Sequence, residues 1–166
     1  EIYNSQSSYK YYFDAVGVEV GDEINLAGTA RVLQTFDFEY WSNLESGEEA
    51  TGLVRIYKND GTQSPQSNVA GNNLPGTLLY TSNSIDIESG FNSVVIDGLS
   101  ITVPDTVTWS FEVTTSDSVA AGVVFSADPT VGGSLNDFWV KSGGSWGLNQ
   151  APELDQFITD DVIPFQ

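Results

Sequence analysis

Histidine, cysteine and methionine are absent from all 166 residues, and only Lys10, Arg31, Arg55, Lys58 and Lys141 carry positive charge. Without imidazole or thiol there is no Ser-His-Asp or Cys-His nucleophile, no zinc site built from His or Cys, and no thiol redox chemistry. Five scattered cations form no patch that could displace counterions from phosphates, which excludes nucleic acid and makes anionic membrane surfaces poor partners. No run approaches the ~18 apolar residues of a membrane span. Since no methionine begins the chain, Glu1 is expected to follow a removed leader or an engineered cut. The lack of thiols suits an oxidising exterior, so the expected location is extracellular, secreted or at the cell surface.

Oxygen chemistry is what remains. Against the five cations stand 23 carboxylates, for a formal net charge of -18. Charge of one sign repels itself, so stability or assembly is expected to increase with added salt or calcium; identical melting in chelator, calcium and high salt would contradict this. Charged residues are 17% of the chain and apolar residues 40%, a globular composition, and the length is that of one domain spanning residues 1–166.

Turn-forming residues recur throughout, and the segments between them alternate with period two, the pattern of many short strands. In Thr106 to Thr114, Val107, Trp109, Phe111 and Val113 alternate with Thr108, Ser110, Glu112 and Thr114, predicting one core face and one wet face. Phe36, Phe38 and Tyr40 alternate with Asp37, Glu39 and Trp41 in the same way. Further strands are expected at Tyr9 to Ala15, Glu23 to Leu26, Gly52 to Lys58, Thr77 to Thr81, Asn92 to Ile96, around Leu99 to Val103, Ala120 to Ala127, Phe138 to Lys141 and Gln156 to Thr159. About ten short strands predict an all-β, antiparallel two-sheet β-sandwich of jelly-roll type, with a small barrel as the alternative. Turns are expected at Asn59-Asp60-Gly61, Asp97-Gly98 and Ser142-Gly143-Gly144, and residues Asn59 to Gly76 read as one long loop without periodicity.

The stretch VGDEINLAGTARVLQTFDFEYW at Val20 to Trp41 combines a Gly-Asp turn, a short strand, a Gly-Thr turn and an aromatic strand. PGTLLY at Pro75 to Tyr80, FNSVVIDGLSITVPDTVTWSFEV at Phe91 to Val113 and NDFWV at Asn136 to Val140 extend the pattern. Together they resemble the β-sandwich ectodomains of exported bacterial proteins with PEP-CTERM-type sorting tails (choice-of-anchor surface proteins). The resemblance implies an exported sandwich of the cell surface or biofilm matrix and carries over no catalytic residues. The chain ends at Ile163-Pro164-Phe165-Gln166 without that family's Pro-Glu-Pro motif, apolar span and basic end, so a trimmed, processed or released relative is expected.

Three groups of candidate residues follow. Hard cations prefer carboxylates, and Asp14, Glu19, Asp22 and Glu23 cluster within ten residues, making them the candidate calcium ligands; no cofactor is otherwise required. Trp41, on the wet side of its strand, and Trp139 and Trp146, flanking the Gly-rich turn, are candidates for stacking on a carbohydrate or a partner. Ile2, Tyr3, Tyr9, Tyr11, Phe13, Phe157, Ile163 and Phe165 lie in apolar, strand-like ends suited to assembly by edge addition. The leading expectation is a noncatalytic structural or adhesive protein that self-associates into a filament through terminal or edge strands, or contacts matrix polysaccharide. A calcium-dependent carbohydrate-binding module comes second. A glycoside hydrolase using Glu39 and Glu112 comes third, the bland alternative being that both are solvated surface charges.

Overall fold

The computed structural model describes residues 1–5, 11–63, 73–125, 129–135 and 137–150. Among these there is no helix, and fourteen strands form antiparallel sheets that do not close into a barrel. The smaller main sheet has the order β1 (Tyr11–Asp14), β11 (Ala121–Phe125), β4 (Phe36–Ser42), β8 (Gly90–Ile96). The larger runs β14 (Ser145–Gln150), β13 (Asp137–Ser142), β2 (Glu19–Asn25), β10 (Thr106–Thr115), β5 (Ala50–Lys58), β6 (Leu78–Thr81), with β12 (Gly133–Ser134) on β2 and β7 (Ile85–Asp86) on β5. A two-stranded ribbon joins β3 (Val32–Leu33) to β9 (Ile101–Thr102).

The alternation in β4 and β10 turns apolar side chains of the two sheets toward each other, so burial of their rings, about 1.5–3 kcal/mol for each large side chain, drives the packing. Phe38 of β4 meets Phe111 and Trp109 of β10 with ring centroids 4.9 and 5.5 Å apart, and Tyr40 lies 5.8 Å from Phe111. At one margin the backbone itself joins the sheets: the N–H of Ala15 donates to Ala121 in the smaller sheet, and its carbonyl accepts from Val113 in the larger. A second apolar cluster, Ile24, Ile56, Val103 and Val107, lies toward the end of the molecule carrying β3 and β9.

Several sequence expectations change. The outer face of β10 is wet only toward its end, at Glu112 and Thr114: Thr108 and Ser110 are completely buried under polar neighbours. Carboxylates concealed the start of β2, which begins at Glu19 and not at Glu23; hydrogen bonds and ion pairs there let acids occupy a covered strand. The Asn59-Asp60-Gly61 sequence does not reverse the chain. Past it the ladder continues, Gly61 donating to Leu74 at 3.0 Å and Leu74 to Thr62 at 2.9 Å, so the base of the supposed loop is an extended hairpin. Asp60 pins that base by accepting from the backbone and hydroxyl of Thr77, both at 2.7 Å, and these bonds lower its pKa. Ser142-Gly143-Gly144 behaves as expected: Ser142 pairs with Ser145 around a two-residue turn whose glycines have φ of 58° and 84°, and it launches β14, a strand the sequence did not announce. The strand expected at Gln156 to Thr159 lies outside the described residues.

Candidate functional site

On the smaller sheet, the parity that buries Phe38 and Tyr40 sends Asp37, Glu39 and Trp41 outward. In register with Trp41 are Phe91 on β8 and Gly122 on β11, while Tyr12 on β1 pairs with Val124. Because Gly122 carries no side chain, the rings of Tyr12 and Trp41 meet across β11 with centroids 4.5 Å apart and planes tilted by 38°. Gly122 also lets β1 approach, since a Cβ there would collide with the carbonyl oxygen of Phe13. Phe91 is 49% exposed and Val95, opposite Asp37, is 58% exposed. A stripe of Tyr12, Trp41 and Phe91 therefore crosses the sheet, flanked by the exposed carboxylates Asp14, Asp37 and Glu39. Burial first, and then the charge of Asp14, raises the pKa of Tyr12, so its hydroxyl remains a neutral donor at neutral pH. Flat rings beside acceptor oxygens provide both parts of carbohydrate recognition, stacking on the apolar faces of sugar rings and bonds to their hydroxyls.

The larger sheet carries a different arrangement on its outer face. Glu19 is 4% exposed, and its Oε1 accepts from the hydroxyls of Tyr57 at 2.7 Å and Ser110 at 2.6 Å. Its Oε2 faces Arg55 at 3.4 Å and Lys141 at 3.3 Å, and Arg55 also pairs with Glu112 at 2.7 Å. The Lys141 ammonium stands over the rings of Tyr57 and Trp146, at 5.4 and 5.2 Å from their centroids. With burial and the nearby Glu19 carboxylate both opposing phenolate, the pKa of Tyr57 is pushed up. Engaged on both oxygens and covered, Glu19 is placed as the centre of a structural network rather than as an accessible base.

Beside this network, Glu23 accepts from the side-chain amide of Asn59, whose oxygen accepts from Thr108 at 3.1 Å. Burial raises Glu23 to about 6. Asp22 points to the opposite face, where its two oxygens accept from Ser134 at 3.0 and 2.9 Å; burial pushes its pKa up to about 8. Tyr3 lies near both Asp22 and Ser134, and burial followed by the Asp22 charge raises it to about 12.

The sequence candidates separate accordingly. Asp14 belongs to the smaller sheet, Glu19 and Glu23 to the outer face of the larger one, and Asp22 to its inner face, so strand parity disperses the four proposed calcium ligands. Glu39 and Glu112 project from the outer faces of different sheets with the core between them, so they do not form a glycosidase pair. Trp139 has no exposed surface, which corrects its assignment to a stacking platform; its position opposite Gly21 places it against the sheet. Trp146 is half-buried and pairs edge-on with Tyr57 at 5.5 Å beneath Lys141. Of the assembly residues, Phe13 is drawn into the core against Phe138 at 4.1 Å, and Ile2 and Tyr3 line a cleft at the end of the molecule. For Tyr11 the structure describes the backbone position in β1, while Tyr9, Phe157, Ile163 and Phe165 lie outside the described residues. Sequence reasoning found Trp41 but missed Tyr12 and Phe91 as its partners; a glycine inside the strand AGVVF was the available signal of close approach.

Fold and site together define an all-β chain of antiparallel sheets with an aromatic surface stripe and a buried polar network behind it. Comparison with known proteins finds no family model, curated protein or solved structure that matches this chain.

Proposed function

We propose that this chain is an exported, noncatalytic adhesive domain, an antiparallel two-sheet sandwich of jelly-roll type that binds a neutral polysaccharide along Tyr12, Trp41 and Phe91. The observation that carries the reading is the meeting of Tyr12 and Trp41 over Gly122, with Phe91 opposite Trp41 on the next strand. A net charge of -18 and the carboxylates Asp14, Asp37 and Glu39 beside the rings favour an uncharged glycan over a uronic or sulfated one. Absence of His and Cys, the separation of Glu39 from Glu112 and the full engagement of Glu19 support a binding role over hydrolysis. The resemblance to exported PEP-CTERM-type surface proteins agrees with a place at the cell surface or in the matrix, and is part of the same proposal.

Titration with soluble neutral and anionic polysaccharides, followed by tryptophan fluorescence, tests this reading. A neutral glycan is expected to change the emission, and Trp41→Ala to weaken binding by at least about tenfold, the loss typical of a central aromatic contact. Trp146→Ala, changed on the other sheet, should leave the affinity unaltered. Silence across the neutral panel, or equal affinity in Trp41→Ala and the parent, would reject the stripe as the binding surface.

A further inference from the structure

The ladder of β4 with β8 ends at Phe36 and Ile96, and Gln34 and Thr35 connect it to the β3–β9 ribbon. Where the smaller sheet ends, a cleft of about 420 Å³ opens against the larger one. Ile24, Ile56, Val103 and Val107, each no more than 5% exposed, give it an apolar floor. Three rings from separate parts of the chain line it as well: Tyr3, Phe36 of the smaller sheet and Trp109 of the larger, the last two with centroids 5.2 Å apart. Bonds within the fold fix its walls, since Val103 donates to Arg31 and Leu99 to Gln34, both at 2.9 Å, and the Thr35 hydroxyl donates to Asp97 at 2.8 Å. The cleft is therefore preformed and falls within the roughly 300–1,000 Å³ of small-molecule sites. An apolar cavity of about 150 Å³ takes one benzene, so this one has room for a body of about two rings and a head group.

Charge selects the class of molecule. None of the lining side chains is cationic, and Asp37 stands exposed at the rim. Arg31, next to the lining residue Ala30, is already engaged by Asp105 at 2.6 Å and by the carbonyl of Ala30 at 2.7 Å. The chain as a whole adds a field of net charge -18, which gathers cations and repels anions. Aromatic faces attract an ammonium group lying within about 6 Å of the ring centroid. We propose that the cleft is a binding site for an organic ammonium ion with an apolar body of about two rings. The body displaces water from the floor of Ile24, Ile56, Val103 and Val107, while the ammonium group lies among the rings of Tyr3, Phe36 and Trp109 toward Asp37. A neutral molecule of the same shape gains the burial without the electrostatic share, and an anion meets Asp37 and the field of the chain. The inference is independent of glycan binding, whose rings lie on the outer face of the smaller sheet.

Naphthylmethylammonium, naphthalenemethanol and naphthylacetate share one body and differ in the charge of the head, so calorimetric titration of each into the whole chain at low salt tests the assignment. The ammonium ion is expected to saturate one site per chain and to bind about tenfold more tightly than the alcohol, with the acetate weakest. Amide resonances of the unaltered protein should shift first at Leu33, Gln34, Phe36, Val103 and Val107 as the ammonium ion is added. Asp37→Asn should weaken the ammonium ion about fivefold, the share of an exposed ion pair, and spare the alcohol. Leu33→Trp, which fills the cleft from the ribbon, should weaken both by at least about tenfold, with circular dichroism matching the parent. Equal affinity for the three heads overturns the ammonium assignment. Amide shifts centred on Tyr12, Trp41 and Phe91, or binding undiminished in folded Leu33→Trp, overturn the cleft as the site. An ammonium ion that does not saturate by about 5 mM overturns both.

Discussion

Asp22→Asn is expected to stabilise the protein at pH 8 by about 2–3 kcal/mol and to leave it nearly unchanged at pH 4. In the folded chain burial holds the Asp22 carboxyl up to about 8, against 3.8 for an exposed aspartate. Between these values the folded state binds a proton that the unfolded state has released, so the stability associated with the protonated acid is fully present below pH 3.8 and is lost as pH rises to about 8. The whole shift would correspond to a ceiling of about 6 kcal/mol, and local relaxation toward Ser134 and water reduces what is measurable. Asparagine keeps the shape and an oxygen for the Ser134 hydroxyl while carrying no charge to bury. Glu23, raised to about 6, adds a smaller dependence of the same sign over a narrower window, so the decisive quantity is the difference between variant and parent. Thermal melts at pH 4, 6 and 8 measure it. At pH 8 the midpoint should rise by about 5–10 °C, and parallel pH profiles for the two proteins would show that Asp22 does not retain its proton.

The strands legible in the sequence were those with one purely apolar face. In β4 and β10 the alternation of Phe, Tyr, Trp and Val marked both the strand and its inward side, and the core contacts follow that parity. What alternation could not convey was the covering of a polar face. Thr108 and Ser110 read as solvated because hydroxyls normally are, and only the arrival of Asn59 and Glu19 from neighbouring segments makes their burial tolerable. The same long-range pairing hid β14, whose SWGLNQ has little β signal and is held by its hairpin partner. Trp41 was legible as a surface aromatic from its own strand, but its partners depend on which strands lie beside β4, information carried by sheet order and not by any local pattern.

The two faces of the molecule thus use their polar groups in opposite ways. Around the aromatic stripe Asp37 and Glu39 are exposed and spaced by sheet register, available to an external ligand, while Asp14 gives one oxygen to the backbone N–H of Val16. On the larger sheet the buried polar groups converge on one another, four of them on Glu19 alone. Removing a group from the first face should alter binding with little cost in stability; removing one from the second should do the reverse.

Glu19→Ala is the strongest form of that second expectation. It leaves the Ser110 hydroxyl, completely buried, and the nearly buried Tyr57 without their acceptor, opens space between β2 and β10, and takes from Lys141 its carboxylate partner. Loss of a buried ion-pair partner costs about 3–5 kcal/mol, and Arg55, which retains Glu112, moderates this toward the lower end. Calorimetry should find a midpoint lowered by about 10 °C, with glycan affinity unchanged at temperatures where the variant is folded. Glu19→Gln, preserving volume and one acceptor oxygen, should recover part of the loss. A decrease below about 1 kcal/mol in Glu19→Ala would mean that water replaces the carboxylate and that the network does not hold the outer face together.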